Sequence, residues 1–148
     1  TGIENLRGSN LAGDTLTGNG SVNRIEGYGG NDTIRGQGGN DVLAGGSGAD
    51  RFGYAGIGEA ANAGGLETIL DFRPGEGDLI DLERIDTGSA AGDQDFEWIG
   101  SAAFQANGSA QLRFSGGVVQ GDANGNGVAE FAIRLSGVTA LTQAAFDL

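Results

Sequence analysis

Gly18, Gly27, Gly36 and Gly45 stand nine residues apart, and the eighth residue of the block each one opens is apolar: Ile25, Ile34, Leu43 and Phe52. A weaker block, Ser9 to Thr17, precedes them with Asp14 and Leu16 in phase. The sixth position therefore reads Asp14, Asn23, Asp32, Asp41 and Asp50, and the eighth reads Leu16, Ile25, Ile34, Leu43 and Phe52. Nine residues are too few for a helical repeat, and each glycine would cost about 1 kcal/mol inside a helix. Glycines at the first, third and fourth positions permit positive φ and close backbone packing, so the first six residues of a block make a turn. The last three, such as Thr33-Ile34-Arg35, make a short strand with one inward apolar side chain. Turn, strand, turn, strand closes one coil in eighteen residues, and stacked coils bury the apolar column. The expected fold is all-β: a parallel β-roll.

Stacking at eighteen residues sets Asp14, Asp32 and Asp50 above one another on one edge, and Asn23 and Asp41 on the other. Adjacent coils lie about 4.8 Å apart, and two carboxylates at roughly 5 Å repel by about 3 kcal/mol at an effective dielectric near 20. Such a ladder requires a cation. The chain has neither His nor Cys, so the donors on offer are carboxylate and carbonyl oxygens. All-oxygen coordination from adaptable turns suits Ca²⁺ better than Mg²⁺ or Zn²⁺. Since an unfolded chain has no preformed site, binding energy becomes folding energy, and the roll should be disordered without metal. A flexible, acidic, glycine-rich linker would explain the composition. It does not explain an apolar residue at every ninth place.

The blocks resemble the GGxGxDxUx nonapeptide of RTX (repeat-in-toxin) proteins. That resemblance implies that each ion sits between two same-edge turns, held by the sixth-position residue and by carbonyls of the first, second and fourth residues. It pairs Asp14 with Asp32, Asn23 with Asp41, and Asp32 with Asp50, for about three ions, with the best site between Asp32 and Asp50. The implied carbonyl donors are Gly27, Tyr28 and Gly30, then Gly36, Gln37 and Gly39, then Gly45, Gly46 and Gly48. Asn23 brings no charge, and Ser21 and Val22 replace the usual Gly-Asn.

After Tyr54 the period stops, and residues 55–65 read as a small-residue loop leading out of the roll. Strands are expected over Leu66–Phe72, Asp78–Leu82, Phe96–Ile99, Ala110–Phe114, Val118–Gln120 and Phe131–Leu135, with a turn at Arg73–Gly77. The chain then divides into a roll, residues 1–54, and an antiparallel β cap or sandwich, residues 55–148, covering a sheet edge that would otherwise aggregate. This second part is similar to the C-terminal domain of serralysin-type secreted metalloproteases. That similarity implies a further calcium at Asp71 and Asp78; the alternative is a pair of carboxylates flanking an exposed turn. Asp122, Asn124 and Asn126 imitate an EF-hand start, but Ile133 stands where the bidentate Glu is required, so a hairpin turn at Asn126-Gly127 is the reading. Trp98 reads as core rather than as a ligand platform.

The net charge is −12, with 20 acidic residues against 8 arginines and no lysine. Such a field repels phosphates and excludes nucleic acid as an expected partner. No apolar run approaches a membrane span and no basic-then-apolar leader is read in the sequence, and from a start without Met a piece of a larger protein is expected. Without His, Cys or Lys, zinc-protease motifs and activated nucleophiles are missing; Asp78, Asp81 and Glu83 as a glycosidase pair are better explained as ligands or a solvated face. The expected function is that of a non-catalytic calcium module. The RTX resemblance adds secretion from a Gram-negative bacterium through the type I machinery, folding in extracellular calcium, and support of a covalently attached N-terminal domain. The terminus Ala145-Phe-Asp-Leu148 would lie in the secretion signal. The alternative is polysaccharide binding, because the repeat domains of alginate epimerases also resemble this roll. Arg7, Arg24, Arg35, Arg51 and Arg73 would supply part of a groove.

Overall fold

The computed structural model describes residues 4–60, 66–85 and 96–148. Through the repeats the strands are β1 (Glu4–Arg7), β2 (Thr15–Thr17), β3 (Asn23–Gly29), β4 (Thr33–Arg35), β5 (Val42–Ser47) and β6 (Arg51–Gly53). The odd strands pair in parallel in one sheet and the even strands in a second. Ile25 registers with Leu43, and Leu16 with Ile34 and Phe52 in turn. Ile25, Ile34, Leu43 and Phe52 are at most 1% exposed, so the eighth-position column is the core between the sheets. Burying each such side chain contributes roughly 1.5–3 kcal/mol.

The first coil departs from the count. Leu6 registers with Ile25, one residue more than the eighteen separating Leu16 from Ile34. Gly8, not Ser9, takes the first position of that block: a Cβ on Gly8 would lie 2.6 Å from the Gly27 carbonyl and 2.7 Å from Asp14 Oδ2. The block is ten residues long, and counting back by nines from Gly18 misses the insertion.

The roll outlasts its period. β7 (Glu67–Ile69) adds to β5 in parallel with Ile69 against Leu43, and β8 (Leu79–Asp81) adds to β6 with Ile80 against Phe52. Between them the turn expected at 73–77 is a 3₁₀ turn, Pro74–Glu76, closed by Gly77 at φ 100°. The loop expected over 55–65 holds a 3₁₀ turn at Ile57–Glu59, and its residues 61–65 lie outside the described ones.

The remaining strands are β9 (Glu97–Trp98), β10 (Gln111–Ser115), β11 (Val118–Asp122), β12 (Phe131–Leu135) and β13 (Phe146–Asp147). β10, β11 and β12 form the antiparallel meander, and β12 lies parallel to β7, so the meander extends the first sheet of the roll. β9 joins its outer edge in parallel with β10. β13 pairs in parallel with β8 and extends the second sheet. The core is continuous from roll to cap: Phe96 meets Phe131 edge-on at 5.7 Å, and Trp98 packs on Phe146 at 5.1 Å. The Asp122 carboxylate accepts from the amides of Gly125, Asn126 and Gly127, while Glu130 accepts from the Ala123 amide and the Asn124 amide group. That loop is a hairpin closed by its own acids.

Candidate metal centre

Two kinds of glycine build the turns. At the second position, Tyr28 (φ 75°), Gln37 (φ 68°) and Gly46 (φ 99°) are left-handed, as are Gly30, Gly39 and Gly48 at the fourth. Two side chains other than glycine hold a conformation that costs them of order 1 kcal/mol, so the surroundings impose it. The first-position glycines Gly27, Gly36 and Gly45 have ordinary φ. Their constraint is contact: a Cβ there would press into Oδ2 of Asp32, Asp41 and Asp50 respectively, closer than any real Cβ contact.

Each sixth-position carboxylate organises the coil before it. Asp32 Oδ1 accepts from the Asp14 amide at 2.7 Å, Asp50 Oδ1 from the Asp32 amide at 2.9 Å, and Asp78 Oδ1 from the Asp50 amide at 3.0 Å. On the other edge Asp41 Oδ1 accepts from the Asn23 amide at 2.8 Å. The structure thus assembles both predicted ladders, Asp14–Asp32–Asp50 and Asn23–Asp41, and continues the first to Asp78.

The second oxygens divide the blocks. Asp14 Oδ2 accepts from the Ser9 amide, and Asn23 Oδ1 from the Asn19 amide. In the three blocks with a left-handed second residue, Oδ2 of Asp32, Asp41 and Asp50 is buried with no hydrogen-bond partner among the described residues. All three residues are at most 1% exposed. Burial raises the carboxyl pKa of Asp32, Asp41 and Asp50, the last to about 6 with the charges of Asp78, Asp32 and Asp71 adding to the effect. A buried oxygen without a donor costs about 1–3 kcal/mol, more when charged.

Backbone carbonyls face the same gaps. The Gly45 and Gly36 carbonyls each lie 2.6 Å from where a Cβ on Gly27 and Gly18 would stand, so first-position carbonyls point back toward the preceding coil. Those of Tyr28 and Gly30 press forward on Gly46 and Gly48. The gap between the Asp32 and Asp50 turns therefore gathers Asp32 Oδ2 with the carbonyls of Gly45, Tyr28 and Gly30. Among the described residues no three acidic side chains converge on one point, so a cation here draws most of its oxygens from the backbone. Hard oxygen donors on irregular turns, one of them a buried carboxylate oxygen lacking any donor, fit Ca²⁺.

Asp71 and Asp78 flank Asp50, as the sequence pairs them, and their oxygens are held by amides. Asp71 accepts from Gly45 and Gly46, both at 3.0 Å, and Asp78 Oδ2 accepts from Arg73 at 2.7 Å. Sequence reasoning missed Glu67. It is 2% exposed, Oε1 accepts from the Tyr54 hydroxyl at 2.8 Å, and Oε2 has no partner among the described residues. Burial pushes its carboxyl up to about 8. The signal was available: Glu67-Thr-Ile69 and Asp78-Leu-Ile80 repeat the acid-x-apolar spacing of sixth to eighth positions.

The arginines do not form a free basic row. Arg7 and Arg24 both pair with Glu26, at 3.2 and 2.6 Å, Arg51 bonds Asp81 at 2.8 Å and also Asp147, and Arg73 donates to the Gly46 carbonyl at 2.7 Å. Arg35 lies over Gly53.

Residues 17–52 match the RTX calcium-binding nonapeptide repeat, in four copies. No curated protein matches the chain. Among solved structures, the AlgE6R3 subunit of the Azotobacter vinelandii mannuronan C5-epimerase is similar, with a TM-score of 0.65 and 24% identity over 99% of this chain and 80% of that one. The AlgE6R2 subunit of the same enzyme gives a TM-score of 0.54 and 26% identity over 97% and 91% of the two chains. The first likeness bears on the fold, which is the β-roll of RTX modules.

Proposed function

We propose that the whole chain, whose residues 17–52 match the RTX calcium-binding nonapeptide repeat, is a non-catalytic module that extracellular calcium folds. The observation that carries this is the set of three buried carboxylate oxygens, on Asp32, Asp41 and Asp50, that no donor among the described residues satisfies. Calcium supplies the missing positive charge. Asp32 would hold it with the carbonyls of Tyr28, Gly30 and Gly45, facing Asp50; Gly27 would serve the Asp14–Asp32 gap, and Gly36 with Gln37 and Gly39 the Asn23–Asp41 gap. Asp50 would share a further ion with Asp71 and Asp78, beside Gly45, Gly46 and Gly48. The ion-dependent roll would fill residues 1–54 and run on through β7 and β8, with the rest of residues 55–148 as its cap.

Extracellular sites of this kind bind calcium at about 10⁻⁴–10⁻³ M. The chain would therefore stay unfolded where calcium is scarce and fold on leaving the cell by the type I route, giving its attached N-terminal domain a folded support. No described helix is long and apolar enough to cross a membrane. Circular dichroism of the chain, titrated with calcium after exhaustive chelation, tests the reading. A coil-like spectrum that turns β-rich with calcium but not with equal magnesium is expected, and a fully β-rich spectrum in chelator overturns it.

A second reading is favoured by the two epimerase subunits, which cover nearly all of this chain: the calcium-loaded module also binds a uronate polymer. The pairing of Arg7, Arg24, Arg51 and Arg73 with internal partners weighs against a strong basic groove. Polymannuronate binding in calcium, lost when Arg24 and Arg35 are replaced by Ala, would support it, and no retention on the polymer would remove it.

A further inference from the structure

Building on the calcium reading above, we infer that the Asn23–Asp41 edge carries a divalent cation site beyond the nonapeptide motif, formed between the carboxylates of Asp41 and Glu67. The Thr68 amide donates to the Asp41 carbonyl at 2.9 Å and Val42 registers with Thr68, so Glu67 takes the rung after Asp41. Each acid stands two residues before a core residue, Leu43 or Ile69, and so turns to the inner side of the sheet. Asp41 is fully buried and Glu67 is 2% exposed.

Each carboxylate has one oxygen committed and one free. Asp41 Oδ1 takes the Asn23 amide and Glu67 Oε1 the Tyr54 hydroxyl, while Asp41 Oδ2 and Glu67 Oε2 have no partner among the described residues. Asp41 Oδ2 lies over Gly36 as Asp32 Oδ2 lies over Gly27, where the Gly45 carbonyl of the following coil comes in; the repeat thus turns the free Asp41 oxygen toward the rung of Glu67. The charges acting on Glu67 are those of Asp41 and Glu59, both negative. The opposite edge shows that a ladder can end differently: both oxygens of its terminal rung, Asp78, accept backbone amides. Two buried oxygens on adjacent rungs, with like charge and no donor among the described residues, call for a hard cation, and oxygen donors at a turn select calcium.

Native mass spectrometry in calcium, comparing the full chain with Glu67→Gln, counts the ions. One ion fewer in the variant, with an unchanged β-rich spectrum, is expected. Terbium gives a second readout. In a Tyr28→Phe background Tyr54 is the remaining tyrosine, and tyrosine-excited terbium emission should fall several-fold on Glu67→Gln. If that variant does not fold, Glu67→Asp in the same background, which keeps the charge but withdraws the carboxylate by one methylene, should give the same fall. An equal ion count together with equal emission means that Glu67 is a neutral buried acid and overturns the inference alone. A wild-type chain that binds no calcium overturns the wider reading as well.

Discussion

A single methyl group tests why the first position is glycine. Gly27→Ala drives its Cβ into Asp32 Oδ2 and should cost about 3 kcal/mol or more, since neither the turn nor the rung beneath it can give way. Gly20, where an added Cβ would meet nothing within 4 Å, should accept Ala within about 0.5 kcal/mol. Thermal melts in saturating calcium separate the two. Asp32→Ala removes both the Asp14 amide's acceptor and the free oxygen of the Asp32–Asp50 gap, so the calcium midpoint should rise more than about tenfold, equivalent to 1.4 kcal/mol. Asp14→Ala should shift it less, because Asp14 Oδ2 is already satisfied by Ser9. The sixth and eighth positions were legible because they are chemically invariant in type across blocks. The left-handed second position was not, because Tyr28 and Gln37 give no hint of it. Gly8 was hidden by one inserted residue.

At the scale of the turns, the rows of acids have a pH signature. The folded pKa values of Asp32, Asp41, Asp50 and Glu67 are raised, so the folded state holds more protons than the unfolded one, and its stability falls as pH rises. Their favourable contribution is complete below the ordinary carboxylate range and lost as pH climbs through about 6 for Asp50 and about 8 for Glu67. In chelator the chain should therefore gain β signal on going from pH 8 to pH 5, measured by circular dichroism. A metal-free signal that declines over that acid shift would contradict the burial described for these groups. The repeat strands and the alternating strand Phe131–Leu135 were readable from period alone. β7 and β8 were readable as strands, but not as further rungs of the roll, because the loops between them break the eighteen-residue count. β13 escaped because two residues carry no periodicity, and its place depends on Arg51 reaching Asp147 and on Phe146 meeting Trp98.

Among the described residues neither sheet stops and restarts between roll and cap, so the ends of the molecule matter unequally. Removing Phe146–Leu148 strips β13 from β8 and uncovers Trp98. A loss of about 2 kcal/mol from the buried Phe146 alone, with a red shift of tryptophan emission, is the expected result. The ladder hydrogen bonds share one direction: Asp78 serves Asp50, Asp50 serves Asp32, and Asp32 serves Asp14. Each amide waits for a carboxylate that comes later in the chain. Deleting residues 1–17 should consequently leave the remaining coils folded in calcium, whereas a chain ending at Gly53 should lose its β signal; circular dichroism of the two truncations decides it. Construction from such a plan proceeds like masonry laid from the far wall inward. A polypeptide threaded through a narrow exit with its carboxyl end leading would present the foundation course first, and every later course would find its footing already set.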